Sequence, residues 1–345
     1  MGRRILITGL SSFWGGRMAQ ALERSGDVDV VVGLDTREPK LALERTEFVR
    51  ADETYSILAR LVRATRVDTV VHAGLIVDST QVAERRIHEL NVIGTINLLA
   101  AIGGADSAVR TLVVKSSTLV YGASARDPFW FSEATPRTAP ARTRTERSLL
   151  EVEDHLGAFA DDNPSVRVAT LRFANVLGPD IETGLSRLLT LPLVPRIAGF
   201  DPQVQFVSQA DVVRALRFAV ERDLSGVFNV VGDGRLPWSE VVSVVGRPPL
   251  LLSPIGTGLL TAPVRRLGLD LRPEMLDLLR FGRGVDGRKL RSAGFTYRHT
   301  TLRALQEFVE AQRLKETVGE TTPHYRYEAD VEAFFRRSPA VVRPG

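Results

Sequence analysis

A glycine-bearing turn and an aspartate downstream of it are the residues of this sequence whose types and spacing most directly imply chemistry. The turn reads Thr8-Gly9-Leu10-Ser11-Ser12-Phe13-Trp14-Gly15-Gly16 and follows a short apolar run at residues 4–8. Glycine lets the chain reverse sharply, and small residues let backbone N–H groups approach a diphosphate at a helix N-terminus. Asp35 ends the next apolar run, 26 residues after Gly9. A carboxylate there can accept hydrogen bonds from ribose hydroxyls. Together the two features point to dinucleotide binding. Other chemistries find less support. Cysteine is absent, which removes thiolate nucleophiles, disulfides and zinc–thiolate sites. The histidines, His72, His88, His155, His299 and His324, show no metal-ligand spacing, so no metal is expected.

The elements that must position these residues form a repeated strand–helix pattern. Apolar runs at residues 4–8, 28–34, 46–50, 69–72, 112–116 and 166–171 predict strands, and amphipathic stretches at 14–24, 57–64, 85–102 and 146–159 predict helices. The runs of Val, Ile and Leu do not alternate with polar residues, as expected for parallel strands covered on both faces. The predicted fold is therefore α/β, a Rossmann doubly wound parallel sheet with a smaller C-terminal α/β substrate lobe. The Rossmann domain is assigned to residues 1–178, with later segments free to complete its sheet. The substrate lobe is assigned to 179–315, where proline becomes frequent, and a polar tail without assigned role to 316–345. Further strands are expected in the lobe at 205–207 and 227–231.

With 44% hydrophobic residues in 345, the chain can bury a sizeable core. No apolar run reaches membrane-spanning length, and the N-terminus enters a strand directly, so a cytoplasmic protein without membrane contact is expected. The net charge is only +4 despite a pI of 9.7. Arginines are spread along the chain instead of gathered in a basic patch, so no nucleic-acid partner is expected.

The order of motifs resembles the extended short-chain dehydrogenase/reductase family, also known as the NAD-dependent epimerase/dehydratase family, over about residues 3–300. The family turn TGxxGxxG is matched by Thr8, Gly9 and Gly15. Ser12 stands at the middle glycine, where its side chain either crowds the diphosphate or adds a hydroxyl donor. Asp52 resembles the adenine-contacting acid. Val71-His72-Ala73-Gly74-Leu75 resembles the strand end under the adenosine ribose and diphosphate. Asn91-Val92-Ile93-Gly94-Thr95 resembles the central-helix motif, whose Asn is mainly structural, and Arg172–Pro179 resembles the segment beside nicotinamide and substrate. The resemblance implies cofactor contacts at Gly9, Ser11, Ser12, Phe13, Trp14, Asp35, Arg37, Asp52, Glu53, His72, Ala73, Gly74, Asn91, Ser116, Arg147, Phe173 and Ala174. Asp35 repels a 2′-phosphate and favours NAD, whereas Arg37 can pair with one, so both NAD and NADP stand as cofactors.

Ser116-Ser117-Thr118-Leu119-Val120-Tyr121-Gly122 resembles the family's SSxxVYG, which puts Ser117 on the catalytic hydroxyl with Thr118 beside it. The bland alternative is a hydroxyl-rich strand end bonding to its own backbone. The family's Tyr-x-x-x-Lys pair is missing: alignment on Glu133, Pro136, Pro140 and Glu151 puts it at Thr143 and Arg147, and no tyrosine lies between Tyr121 and Tyr297. Tyr121 falls on a packing position of the motif.

Three functions follow from the resemblance. The first is an NAD(P)H-dependent ketoreductase without the usual Tyr/Lys acid, taking its proton from water, Ser117, Thr118 or a substrate hydroxyl. The missing pair, the arginine-for-lysine bias and apolar stretches at 188–195 and 259–264 resemble actinomycete ketoreductases that tailor aromatic polyketide antibiotics such as angucyclinones. The second is a nucleotide-sugar epimerase or dehydratase. Against it, the arginine that holds the sugar diphosphate is absent from Gln203-Val204-Gln205-Phe206-Val207, with Arg280 or Arg283 as candidates to compensate. The third is a non-catalytic dinucleotide-binding protein. The small-molecule substrate is expected to meet Ser117, Thr118, Asn175 and Leu185. A homodimer through the helices at 85–102 and 146–159 is the family's usual assembly.

Overall fold

The computed structural model describes residues 2–78, 82–254, 271–318, 331, 334–335 and 338–342. Seven strands form the central sheet: β1 (Arg3–Thr8), β2 (Val28–Asp35), β3 (Thr46–Arg50), β4 (Thr69–His72), β5 (Thr111–Ser117), β6 (Arg167–Phe173) and β7 (Gly226–Val230). Every pairing is parallel and the spatial order is β7-β6-β5-β4-β1-β2-β3. The strands are built from residues such as Ile5, Leu6, Ile7, Val70, Val71, Leu112, Val113 and Val114, all fully buried. Helices on both faces remove each strand's side chains from water, which is why these runs do not alternate. The chain winds outward in both directions from β1 and β4, so the carboxyl ends of these two strands diverge into a crevice, the usual ligand position in such sheets.

β7 comes from within the segment assigned to the lobe, so the chain leaves the sheet after β6 and returns to complete it. Helix α1 (Phe13–Glu23) starts at Ser12, whose Oγ accepts the Gly15 N–H, and α2 (Tyr55–Thr65) ends at Arg66 in the left-handed region. The single helix expected at 85–102 is three segments: α3 (Glu84–His88), a π-helical turn (Glu89–Ile93) and α4 (Gly94–Ile102). Such a turn inserts extra backbone and re-aims the side chains it carries. Helix α5 (Arg144–Asp162) opens with a capping box between Thr143 and Glu146.

The smaller lobe has its own core, in which Leu188, Leu189, Val194, Phe206, Trp238, Leu305 and Phe308 are buried. The apolar stretch at 188–195 thus mainly packs the lobe; its counterpart at 259–264 lies outside the described residues. The strand expected at 205–207 is Phe206–Ser208, parallel to Asn175–Leu177. Helix Thr301–Val318 carries the lobe across residue 315. Beyond it, Phe334 and Ala340 join the core cluster of α2, Arg60 lies 3.9 Å over the Phe335 ring, and the Val342 N–H donates to Ala64 O at 2.7 Å. The described residues of the tail are therefore docked on the Rossmann domain. No helix among the described residues is long and apolar enough to cross a membrane.

Candidate active site

One cleft of about 1400 Å³ runs from the turn after β1, past the end of β5, to the wall of the smaller lobe. At its near end Gly9 has φ 72°, and an added Cβ would lie 2.3 Å from Gly74 Cα. A Cβ at Gly15 would lie 2.3 Å from Gly9 O. Both glycines are therefore required by close backbone packing, which brings the turn against the β4 end and leaves the start of α1 facing the cleft. Such a backbone cradle fits a dinucleotide diphosphate. The Ser12 hydroxyl donates to Gly9 O at 2.6 Å while accepting the Gly15 N–H. Its proton is thus held inside the turn, and the hydroxyl is not a diphosphate donor. Asp35 accepts the Ser11 N–H at 2.9 Å and the Arg37 N–H at 3.2 Å, placing its carboxylate at the cleft edge with Arg37 exposed beside it.

Most of the residues implied by the resemblance line this cleft: Gly9, Ser11, Ser12, Phe13, Trp14, Asp35, Arg37, Asp52, Glu53, Ala73, Gly74, Ser116, Phe173 and Ala174, and at the substrate end Ser117, Thr118, Asn175 and Leu185. His72, Asn91, Thr143 and Arg147 do not. Asn91 is fully buried; its amide exchanges two hydrogen bonds with the Ile76 backbone and donates to Ser148 Oγ. It pins the loop after β4 against α5 and acts on the cleft only through that loop. His72 is buried with Nδ1 2.5 Å from Thr8 Oγ1 and Nε2 3.2 Å from Thr95 Oγ1. Because Thr95 gives its proton to Asn91 O, Nε2 carries the hydrogen and Nδ1 accepts from Thr8. Burial and the nearby Lys115 push the His72 pKa down to about 4, so it is a neutral structural link and no cofactor contact. Glu53 also reaches Thr8; burial, against the Thr8 hydrogen bond and with the Asp35 charge adding to it, raises its pKa to about 7.

At the position to which the resemblance assigns the tyrosine, Thr143 is the N-cap of α5. Its hydroxyl accepts the Glu146 N–H at 3.3 Å and donates to Glu146 Oε2 at 3.2 Å. Arg147 points to solvent, and Glu146 is the α5 residue that faces the cleft. The Glu146 carboxylate is paired with Arg137 and also accepts the Arg142 and Thr143 N–H groups. A buried, fully engaged ion pair thus stands where the resemblance implied an acid and a cation. Ser117 keeps an available proton: its Oγ accepts the Leu119 N–H at 3.2 Å, and both it and Thr118 remain part-exposed in the cleft. The Ser116 hydroxyl is committed to Glu153 at 2.6 Å. Glu153 pairs with Arg172, which donates to Tyr121 Oη, which donates to Asn229. Tyr121, stacked on Phe131 at 4.8 Å, is accordingly a packing residue.

The chain belongs to the NAD dependent epimerase/dehydratase family. The family profile matches residues 5–231, spanning the sheet and the Ser117 side of the cleft. An uncharacterized protein of Mycobacterium tuberculosis is 33% identical over 322 residues, covering 90% of this chain and 84% of its own. Among solved structures, MoeE5 in complex with UDP-glucose and NAD is 25% identical with a TM-score of 0.67, covering 91% of this chain and 99% of its own. The UDP-glucose 4-epimerase of Thermotoga maritima with UDP-glucose shares the fold at 20% identity and a TM-score of 0.69, covering 91% of this chain and 99% of the epimerase.

The lobe side of the cleft holds residues that sequence reasoning weighed little or missed. Gln203, Arg272, Glu274, Met275, Asp277, Leu278 and Arg283 form its wall. Asp277 is paired with Arg142 and Arg272 with Glu84. Arg283 has no carboxylate partner among the described residues, and its Nε is buried without a hydrogen bond. Gln205 is fixed by accepting the Val285 N–H at 2.6 Å. Asp211, fully buried, accepts from the Arg298 and His299 backbone and is structural. Lys115, one of only four lysines, is buried in the cleft floor; a lysine at the polar end of a strand gives no sequence signal of burial.

Proposed function

We propose that this protein is an NAD(H)-dependent enzyme of nucleotide-sugar chemistry, moving a hydride between the cofactor and a sugar carbon presented to Ser117 and Thr118. Arg283 carries the reading: a guanidinium without an acid partner among the described residues, in the substrate wall of the same cleft, suits a substrate bearing phosphate or carboxylate. The crystallised complexes of MoeE5 with UDP-glucose and NAD agree with it. The dinucleotide is held by the backbone around Gly9 and the start of α1, with Asp35 on the adenosine ribose and Phe173 and Ala174 beside the nicotinamide. When bound, the nicotinamide supplies or accepts the hydride. Ser117 and Thr118 orient and polarise the reacting oxygen. Thr143 is committed to Glu146 and Arg147 lies outside the cleft, so the moving proton belongs to Ser117, Thr118, water or a substrate hydroxyl. The cofactor is NAD in preference to NADP because the Asp35 carboxylate opposes a 2′-phosphate.

A second reading, reduction of an aromatic polyketide ketone, is favoured by the absence of a dedicated acid, since a phenol hydrogen-bonded to the ketone would carry its own proton. Phe131, Met275 and Leu278 would supply its apolar wall. Turnover of NADH and NAD⁺ with UDP- and dTDP-sugars, set against quinone and angucyclinone ketones with products identified by mass spectrometry, separates the two. Sugar turnover whose KM rises about tenfold or more in Arg283→Met supports the first reading; reduction of the aromatic ketones alone overturns it. Dinucleotide binding with no turnover of either panel would favour a protein that binds without catalysis. The expected homodimer is part of this proposal: Ile93 and Ile96, with 43% and 37% of their surface exposed, give the helix pair an apolar face, and sedimentation would show it as a dimer.

A further inference from the structure

The dinucleotide half of the cleft lacks a strong counter-charge near the diphosphate cradle. The start of α1 supplies about half a positive charge, and Ser12 turns its hydroxyl proton inward. Arg37 and Lys40 line the cleft but are exposed beyond Asp35. One buried cation does lie on the floor. Lys115 sits two residues before Ser117 on β5, so both side chains leave the same face of the sheet, and only 2% of it is exposed. Its ammonium lies 5.9 Å from the ring of Trp14, in the first turn of α1.

Among the described residues Lys115 has no anionic partner. His72, which feels its charge, is neutral, Trp14 of α1 lies over it, and its pairing partner on β6 is Leu171. Helix Gln209–Glu221, packed on the same sheet, carries the buried Asp211, but that carboxylate is taken by Arg214 and the Arg298 and His299 backbone. Arg17 of α1 pairs with Asp180. Burial alone brings the Lys115 pKa down to about 8. An unpaired buried ammonium is costly and normally implies a partner.

We propose that Lys115 is a cofactor-binding residue whose ammonium pairs with the diphosphate of the bound dinucleotide from beneath, complementing the backbone cradle of Gly9 and α1. No residue of the family motifs matched in this chain assigns such a role to the β5 floor. The inference rests on the dinucleotide reading of the cleft but is independent of the substrate. Pairing raises the proton affinity of the amine, so binding at pH 8 takes up at most about half a proton, and dinucleotide affinity falls as pH rises above about 8.

The test measures binding of NADH, ADP-ribose and adenosine by calorimetry to the full chain and to Lys115→Met. The expected result is about 10- to 100-fold weaker binding of NADH and ADP-ribose, the range of a charge-assisted hydrogen bond, with adenosine unchanged. Equal affinities for NADH in the two proteins would overturn the assignment, as would an equal loss for adenosine, which shows a general change of the site. Should Lys115→Met not fold, proton uptake decides. NADH binding to Glu53→Gln, in which that carboxyl cannot contribute, is followed at pH 8 in buffers of different ionisation enthalpy. Uptake supports the pairing, and its absence overturns it. Failure of the unmodified protein to bind NADH at all would instead sink the dinucleotide reading and this inference with it.

Discussion

Thr143 and Glu146 close a reciprocal capping box at the start of α5, each accepting the other's backbone N–H. The hydroxyl at the position of the missing tyrosine therefore holds a helix in place and has no proton to give a substrate. Thr143→Ala is expected to cost about 1 kcal/mol of stability, typical of a lost N-cap, and to leave kcat unchanged within about twofold. Thermal melts alongside steady-state kinetics check both parts; a kcat loss of tenfold or more would return Thr143 to the reaction.

On the proposed function Ser117 and Thr118, which line the cleft, meet the reacting oxygen without a Tyr–Lys relay behind them. Ser117→Ala and Thr118→Ala should each lower turnover only modestly, by about tenfold, chiefly through lost orientation. A loss beyond about a thousandfold in either, within the span of a dedicated general acid, would make that hydroxyl the essential proton donor.

The sheet was legible because its strands are buried on both faces: runs such as Ile5–Ile7 and Leu112–Val114 leave no other element type that fits. The Gly9 turn was legible for the same local reason, since only glycine tolerates its backbone and its approach to Gly74. The phase of α5 was not. Successive helix residues are turned by about 100°, so a shift of one residue moved the cleft-facing side chain from Arg147 to Glu146. That phase is set by where the capping box starts the helix. The π turn at Glu89–Ile93 was hidden too, because an apolar helix pattern looks alike with or without one extra residue. Lys115 was missed because its burial depends on Trp14, distant in sequence, folding over it.

Asp35, proposed to meet the adenosine ribose, also holds the turn, accepting the Ser11 and Arg37 N–H groups. Asp35→Ala removes a carboxylate that would repel a 2′-phosphate and leaves Arg37 nearby. The variant should bind NADH more weakly and shift its preference toward NADPH. Dissociation constants for the two cofactors check this, and an unchanged ratio would remove Asp35 from the adenosine site.

Glu53 gives a pH signature that belongs to the fold itself. Its buried carboxyl is pushed toward the neutral acid by desolvation, which outweighs the hydrogen bond with Thr8 that favours the charged form. A folded pKa of about 7 lies above the value of about 4.3 for an unfolded glutamate. The folded state therefore binds more protons between these values, and stability falls as pH rises from about 4.3 to 7. His72, depressed to about 4, acts in the opposite sense between about 4 and 6.5 and offsets the Glu53 contribution there. Glu53→Gln isolates the effect, because its amide has nearly the shape of the acid but never ionises. The variant should match the unmodified protein near pH 4 and exceed it at pH 8, by at most about 4 kcal/mol. Urea denaturation at the two pH values reads the difference; a variant no more stable at pH 8 would show that Glu53 is ionised without penalty.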